Sequence, residues 1–550
     1  MTPILSAIPS RTLSAPGGPA FSRPVILVFF LGLAARLYCL WSRPLFNPDG
    51  ILYLQQARAL YFGEPEQLLA CYEYLSNYPL FIAGIFPLTG DWILAGRLVS
   101  LCFGTLALIP LYLLLRRLFS EEISCLTLLL FALLPTLVTL SRDIMRDPVY
   151  WFFAATGLWL FIRFLETPRH RLLLFSSAAF LMAAWARMEG ALFFLCAALW
   201  LPVHRDTRTP SHLLSFFGPP AALLILAGIF CMMRDTSLLS TIKPERLLTR
   251  PLEFLDRYRE IRDLLKPFAR HPPPGFSPYF FPKVRNLVWF IALTSLVVQM
   301  INSLFYLYPV FPLLGIRDIR RRRKDRRFSF LFFTAAASLP VLYLQIIYNW
   351  SMPHRFLMLF FLPAVPVFGL GMRRMRFLLA RRLPRTGRKA PRLYRAGMVI
   401  CLVITLFSSG KILRAHYLEE KLIFHEIGRY IDRVGQPTAP VRVAAAFKQV
   451  RFVQFFANLS FPTAPCFDYE GLFPVQAPPD LSRITHIDYI IWDERNSHPD
   501  TLSFLRSSPD YRRVRKWTSR RLGRIILFQR DTSRAKPAAA ASASEGVPSP

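Results

Sequence analysis

The chain has 550 residues, of which 53% are hydrophobic and only 18% charged, with a formal net charge of +33. That balance excludes a disordered chain and argues against a soluble enzyme. The Lys and Arg residues come in bursts between membrane-length apolar runs, which argues against nucleic-acid binding and implies a polytopic membrane protein with basic cytoplasmic loops.

A span needs about 20 mostly apolar residues. After a cytoplasmic segment 1–24, eleven spans are predicted, at 25–42, 92–115, 122–140, 149–165, 171–187, 189–204, 213–232, 286–311, 328–348, 355–372 and 396–413. The apolar segment 77–90 contains Pro79, Pro87 and Gly90 and is predicted as a re-entrant or interfacial piece within the loop 43–91. In the loop 233–285, leucines recur at helical spacing among Glu253, Asp256, Arg257, Arg259, Glu260 and Arg262. This pattern predicts an amphipathic helix on the membrane surface. Beyond the multi-span region 25–413, runs at 441–444, 489–492 and 525–528 have strand character among helical segments, which predicts an α/β domain over 414–530. The tail 531–550, rich in Ala, Ser and Pro, is expected to be disordered. The fold class is therefore an α-helical polytopic membrane protein of about eleven transmembrane helices with a small C-terminal α/β extracytoplasmic domain.

Basic residues orient the spans. With the N-terminus inside, the cytoplasmic loops receive Arg116, Arg117, Arg163, Arg169, Arg171 and the dense runs Arg317 to Arg327 and Arg373 to Arg395. Six of the eight cysteines lie in apolar segments and read as small hydrophobes; only Cys71 and Cys466 fall in loops, where an oxidising face would permit a disulfide. The histidines show no metal-ligand spacing. Arg36, inside the first span, is expected to pair with an acid in the bundle.

The same topology delivers the ionisable residues at span ends to one face: Asp49 after the first span, Asp143 and Asp147 after the third, Arg187 and Glu189 after the fifth, and His354 and Arg355 at the start of the tenth. Guanidinium forks match the oxygens of a lipid phosphate, and a nearby carboxylate can take a proton from an attacking hydroxyl. The combination suits transfer of a group from a phospholipid carrier to an extracytoplasmic acceptor.

Arg36, Pro48-Asp49-Gly50 with Tyr53, Asn77-Tyr78-Pro79-Leu80, Ser141-Arg142-Asp143 through Asp147-Pro148, Arg187-Met188-Glu189-Gly190 and His354-Arg355-Phe356 follow in an order that resembles the C-type membrane glycosyltransferases. That superfamily includes protein O-mannosyltransferases and the aminoarabinose transferase of lipid A. The first motif departs from the mannosyltransferases, which carry Asp-Glu where this chain has Asp49-Gly50.

The resemblance implies a polyprenyl-phosphate-linked sugar donor, an acceptor glycan, lipid or protein, and inversion in one displacement at the periplasmic side of a bacterial inner membrane. It makes Asp49 the general base, with Asp147 and Glu189 orienting arginines or acceptor. Arg187, Arg355 and then Arg142 become the phosphate partners, and His354, Tyr53 and Lys243 further donor contacts. Hard cations prefer oxygen ligands, so Asp49, Asp147 and Glu189 are also the candidates for a divalent ion. A polysaccharide polymerase or ligase, or a secondary transporter with binding groups near mid-membrane, are the competing expectations.

Overall fold

The computed structural model describes residues 22–41, 46–68, 74–204, 207–233, 244–304, 308–382, 418–434, 439–446, 450–461, 487–519 and 523–531. The expected span at 396–413, Lys243, Cys71, Cys466, the segment 1–21 and the tail from 532 lie outside them.

Helix α1 (Arg23–Trp41) leads through a loop to α2 (Asp49–Phe62). The predicted re-entrant segment is a helix of only 12 residues, α3 (Tyr78–Thr89). Next come α4 (Trp92–Leu106) and α5 (Leu108–Leu118), which together make one apolar rod of 27 residues. The segment expected to be one span at 122–140 is instead broken into α6 (Glu121–Leu133) and α7 (Pro135–Leu140). Leu134 is extended, as a residue before proline prefers, and Pro135 has no N–H to offer the preceding turn. The break frees carbonyls at the end of α6, and this explains Arg36. Its fully buried guanidinium donates from Nη1 to the carbonyls of Ala132 and Gly32, both at 2.9 Å, so its partner is a helix end rather than the expected acid.

Helices α8 (Asp147–Glu166), α9 (His170–Ala186), α10 (Ala191–Val203) and α11 (Pro210–Met233) continue the bundle. The loop after α11 is helical as expected, in α12 (Pro244–Leu264), which packs on a later span. The span predicted at 286–311 is helical over α13 (Val288–Ser303), which meets the preceding helix Phe280–Asn286 at 70°. The arginine run expected in a loop partly belongs to α14 (Val310–Arg322), which lies against α16 (Met358–Arg382). Gly315 and Gly371 permit that approach, since a Cβ at either would strike the carbonyl of Val367 or of Phe311 across the seam. Between them in the chain lies α15 (Arg326–Asn349).

Among the described residues, six helices are long and apolar enough to cross a membrane, or seven if the bent pair is one span; three more apolar helices are shorter. The protein is thus mostly helical and integral to the membrane; the spans expected at 171–187 and 189–204 are among the shorter helices, and the one expected at 396–413 lies outside the described residues.

The C-terminal part contains α17 (Leu418–Val434), β1 (Val443–Ala445), α18 (Val450–Ala457), β2 (Tyr489–Asp493), α19 (Pro499–Ser507), β3 (Tyr511–Ser519) and β4 (Gly523–Arg530). The strands form one sheet in the order β1-β2-β4-β3, with β1 and β2 parallel and the other pairs antiparallel. Side chains alternate along the strands. Ala445, Ile491, Ile525 and Leu527 face a core continuous with the bundle, while Ala444, Ile490, Ile526 and Phe528 face a second, smaller one. The contact with the bundle is aromatic: Phe46, just before Asp49, packs edge-on against Phe452 and Phe455 of α18, at 5.5 and 6.4 Å between centroids.

Candidate active site

Four helix ends converge at one end of the bundle. Asp49 opens α2 and Asp147 opens α8, where a carboxylate suits the helix dipole and Pro148 fills a position needing no N–H. Arg187 terminates α9 in an extended conformation, and a 3-10 turn, Met188–Gly190, carries Glu189 into α10. Gly190 lies so near α9 that a Cβ there would come within 2.8 Å of the Ala183 backbone. His354 and Arg355 sit on a second 3-10 turn, His354–Leu357, ahead of α16.

The loop before α2 is latched to the loop before α8. Asn47 accepts the backbone N–H of Asp49 at 3.0 Å on its side chain, while its own N–H donates to Asp143 Oδ1 at 3.2 Å. Ile144 fills the space between α2 and α4. A Cβ at Gly50 would fall 2.8 Å from the Ile144 Cβ and 3.0 Å from its carbonyl oxygen, and one at Gly96 2.9 Å from its Cγ2. The departure from the Asp-Glu motif therefore has a steric cause: the residue after Asp49 faces backbone, with no room for a side chain.

Two ion-paired groups result. In the first, Arg187 Nη1 donates to Asp147 Oδ1, and its Nη2 and Nε reach Glu189 Oε1 and Oε2 at 3.1 and 3.4 Å. In the second, Arg355 Nη1 donates to Asp49 Oδ2 at 3.0 Å and lies 3.7 Å from the sulfur of Met145. Phe356 joins them, with its ring centroid 4.3 Å from the Arg187 guanidinium carbon and 5.8 Å from that of Arg355. Such contacts hold a guanidinium flat against an aromatic face.

Of the other expected site residues, Tyr53 is buried edge-on to Tyr78, with Arg146 5.8 Å above its ring. His354 is exposed, and its Nδ1 pairs with Ser303 Oγ at 2.6 Å. Arg142 is buried on the α4 side, where Arg97 feels its charge and that of Asp143. Among the described residues, no three His, Cys, Asp or Glu side chains gather as metal ligands. The sequence did not single out roles for Phe356, Met145, Arg146 or Ile144. Only Phe356 carried a signal, as the aromatic following Arg355.

Residues 77–233, just over a quarter of the chain, match the family described as dolichyl-phosphate-mannose-protein mannosyltransferase. The segment includes Asp147, Arg187 and Glu189 but neither Asp49 nor Arg355. ArnT from Cupriavidus metallidurans in the apo state is 13% identical and has a TM-score of 0.53; bound to undecaprenyl phosphate it is 14% identical, with 0.50. Each match covers 93% of this chain and 99% of that one. The oligosaccharyltransferase AglB from Archaeoglobus fulgidus, in complex with an inhibitory peptide and a dolichol-phosphate, matches at 13% identity over 86% of this chain and 69% of that one, with a TM-score of 0.46. No curated protein matches the chain in sequence.

The resemblance expected from the motifs is borne out to this extent: part of the chain matches a mannosyltransferase family model, and the fold is shared with ArnT.

Proposed function

We propose that the protein transfers a sugar from a polyprenyl-phosphate-linked donor to an extracytoplasmic acceptor, with Asp49 as general base. The observation that carries this is the Asp49–Arg355 pair. Its side chains remain 39% and 21% exposed at the helix ends, whereas Arg187 and Asp147 beside it are 4% and 0% exposed. Sharing a fold with a protein that binds undecaprenyl phosphate supports the donor class.

Arg355 uses one N–H on Asp49 and is free to turn its fork to the donor phosphate. Asp49 Oδ2 is then available to an acceptor hydroxyl. As the acceptor oxygen bonds to the anomeric carbon, the bond from that carbon to the phosphate oxygen breaks. The hydroxyl proton passes to Asp49, and polyprenyl phosphate leaves with the electron pair. Phosphate is already a weak base, so a second carboxylic acid is not required, unlike in most glycosidases. The principal electrostatic task is stabilising the departing phosphate, which falls to Arg355 and the converging positive helix ends of α2, α8 and α16. Arg187, with three of its five N–H groups on carboxylates, acts by holding Phe356 and the turn before α16 in place.

The same reading places the bundle in a bacterial inner membrane, with Asp49 and the C-terminal sheet outside the cytoplasm. It also keeps Arg142, Tyr53 and His354 as donor contacts, with Lys243, outside the described residues, as a further one. Membranes carrying the protein, supplied with radiolabelled polyprenyl-phosphate sugars, test the proposal. Asp49→Asn should lower transfer by about 10²- to 10⁴-fold while leaving protein level and insertion unchanged. Undiminished transfer by this variant would falsify the assignment.

A further inference from the structure

At the end of the bundle away from Asp49 lies a cavity of about 520 Å³ between the α5–α6 junction, the end of α14 and the second half of α16. Arg373 follows Arg355 by five turns of near-continuous helix, which at 1.5 Å per residue separates the two levels by about 27 Å. The hydrocarbon layer of a bilayer is about 30 Å thick. The cavity therefore sits at the opposite membrane boundary, where the chain also gathers Arg117 and Arg327 around Glu166.

Its lining divides by chemistry. Arg322, Arg373 and Arg376 supply three guanidiniums and, among the described residues, no carboxylate lines it, while Leu118, Ile123 and Phe377 supply an apolar wall. Arg376 is paired with Glu122, and Arg373 with Asp318 at 3.5 Å. Arg322 differs. Among the described residues its guanidinium makes no hydrogen bond or ion pair, and it rests over the ring of Phe328 at 5.5 Å. Burial first, and then the charge of Arg373, lower its pKa from the usual guanidinium range. An anion in the cavity would relieve that repulsion. Phe377, 61% exposed although large and apolar, borders the same opening.

We propose that this cavity binds an anionic phospholipid of the adjacent leaflet, with the headgroup phosphate on Arg322 and Arg373 and an acyl chain along Leu118, Ile123 and Phe377. Guanidiniums bind phosphate as charge-assisted forks, and basic pockets between transmembrane helices suit anionic headgroups. A free phosphate would satisfy the arginines but would leave the apolar wall uncovered. The assignment rests on the membrane reading of the bundle and is independent of the sugar-transfer chemistry.

The test uses the full chain, stripped of lipid in detergent and titrated with phosphatidylglycerol, phosphatidylcholine or inorganic phosphate, with bound species counted by native mass spectrometry. One phosphatidylglycerol should be retained at least tenfold more tightly than phosphatidylcholine. Arg322→Glu and Phe377→Asp should each weaken it at least fivefold without changing the lipid-free unfolding temperature or sugar transfer. Phe377 is mostly exposed, so Phe377→Asp carries the test if Arg322→Glu fails to fold. Equal retention of the two lipids, undiminished retention by the folded variants, or equally tight inorganic phosphate would overturn the assignment.

Discussion

Two carboxylate–guanidinium groups stand on either side of Phe356, and their construction differs. Arg187 is enclosed, clamped between Asp147 and Glu189, with its flat face on the ring. Arg355 makes a single bond to Asp49 at the mouth of the same region. A guanidinium whose donors are filled and buried is committed to structure, while one with open donors at the surface can exchange partners with a substrate. Similar residue types thus divide into a frame and a reacting pair.

The sharpest break of that comparison comes from removing each arginine. Arg187→Met leaves the fully buried Asp147 uncompensated, and loss of one partner of a buried pair costs about 3–5 kcal/mol. Thermal unfolding in detergent should show it, and adding Asp147→Leu should recover most of the loss. Arg355→Met should do the reverse. Stability changes by no more than about 1 kcal/mol, because the pair is partly exposed, while sugar transfer falls by about 10²- to 10³-fold, as when one transition-state donor is removed. If both variants unfold the protein equally, the division into frame and reacting pair is wrong.

The sequence made the gathering of Asp49, Asp147, Arg187, Glu189 and Arg355 legible because side follows from the parity of apolar segments. It did not show which acid meets which arginine, since that depends on how the 3-10 turns before α10 and α16 aim their side chains. Arg36 was misread for a related reason. Its acceptor is a backbone carbonyl freed by the Leu134–Pro135 break, and no side-chain pattern announces such a partner. Strand β3 was missed because Arg512, Arg513, Arg515 and Lys516 mask its alternation. On an edge strand those charges are tolerated and discourage pairing with other chains.

A smaller effect tests how the reacting pair is held. Gly50→Ala would press a methyl group on Ile144, costing about 1–3 kcal/mol as an overpacked site does. The strain falls between Asp49 and the loop carrying Asp147, so transfer should fall more than stability alone accounts for, measured as kcat at a temperature where the variant is fully folded. A Gly50→Ala protein with unchanged kcat would show that Ile144 does not set the position of Asp49.

The smallest effect comes from a carboxylate buried without a cation beside it among the described residues. Asp493, at the end of β2, accepts on Oδ1 the backbone N–H groups of Arg495 and Asn496 and the Asn496 side chain, whereas its buried Oδ2 has no hydrogen-bond partner among the described residues. Burial raises its pKa above the usual aspartate range despite those donors. The sign follows: the folded state holds the proton more tightly than the unfolded chain, so the contribution is present below about pH 4 and is lost as pH rises through the folded value. Asp493→Asn retains the Oδ1 acceptor and removes the charge. It should leave stability at pH 7 unchanged or raise it by up to about 1 kcal/mol, a difference that shrinks on acidification, in denaturation followed by tryptophan fluorescence. Asp147→Asn should move the opposite way at pH 7, because there the lost charge belonged to Arg187. If both substitutions shift stability in the same direction, burial alone governs these carboxylates and the guanidinium of Arg187 is not what makes Asp147 tolerable.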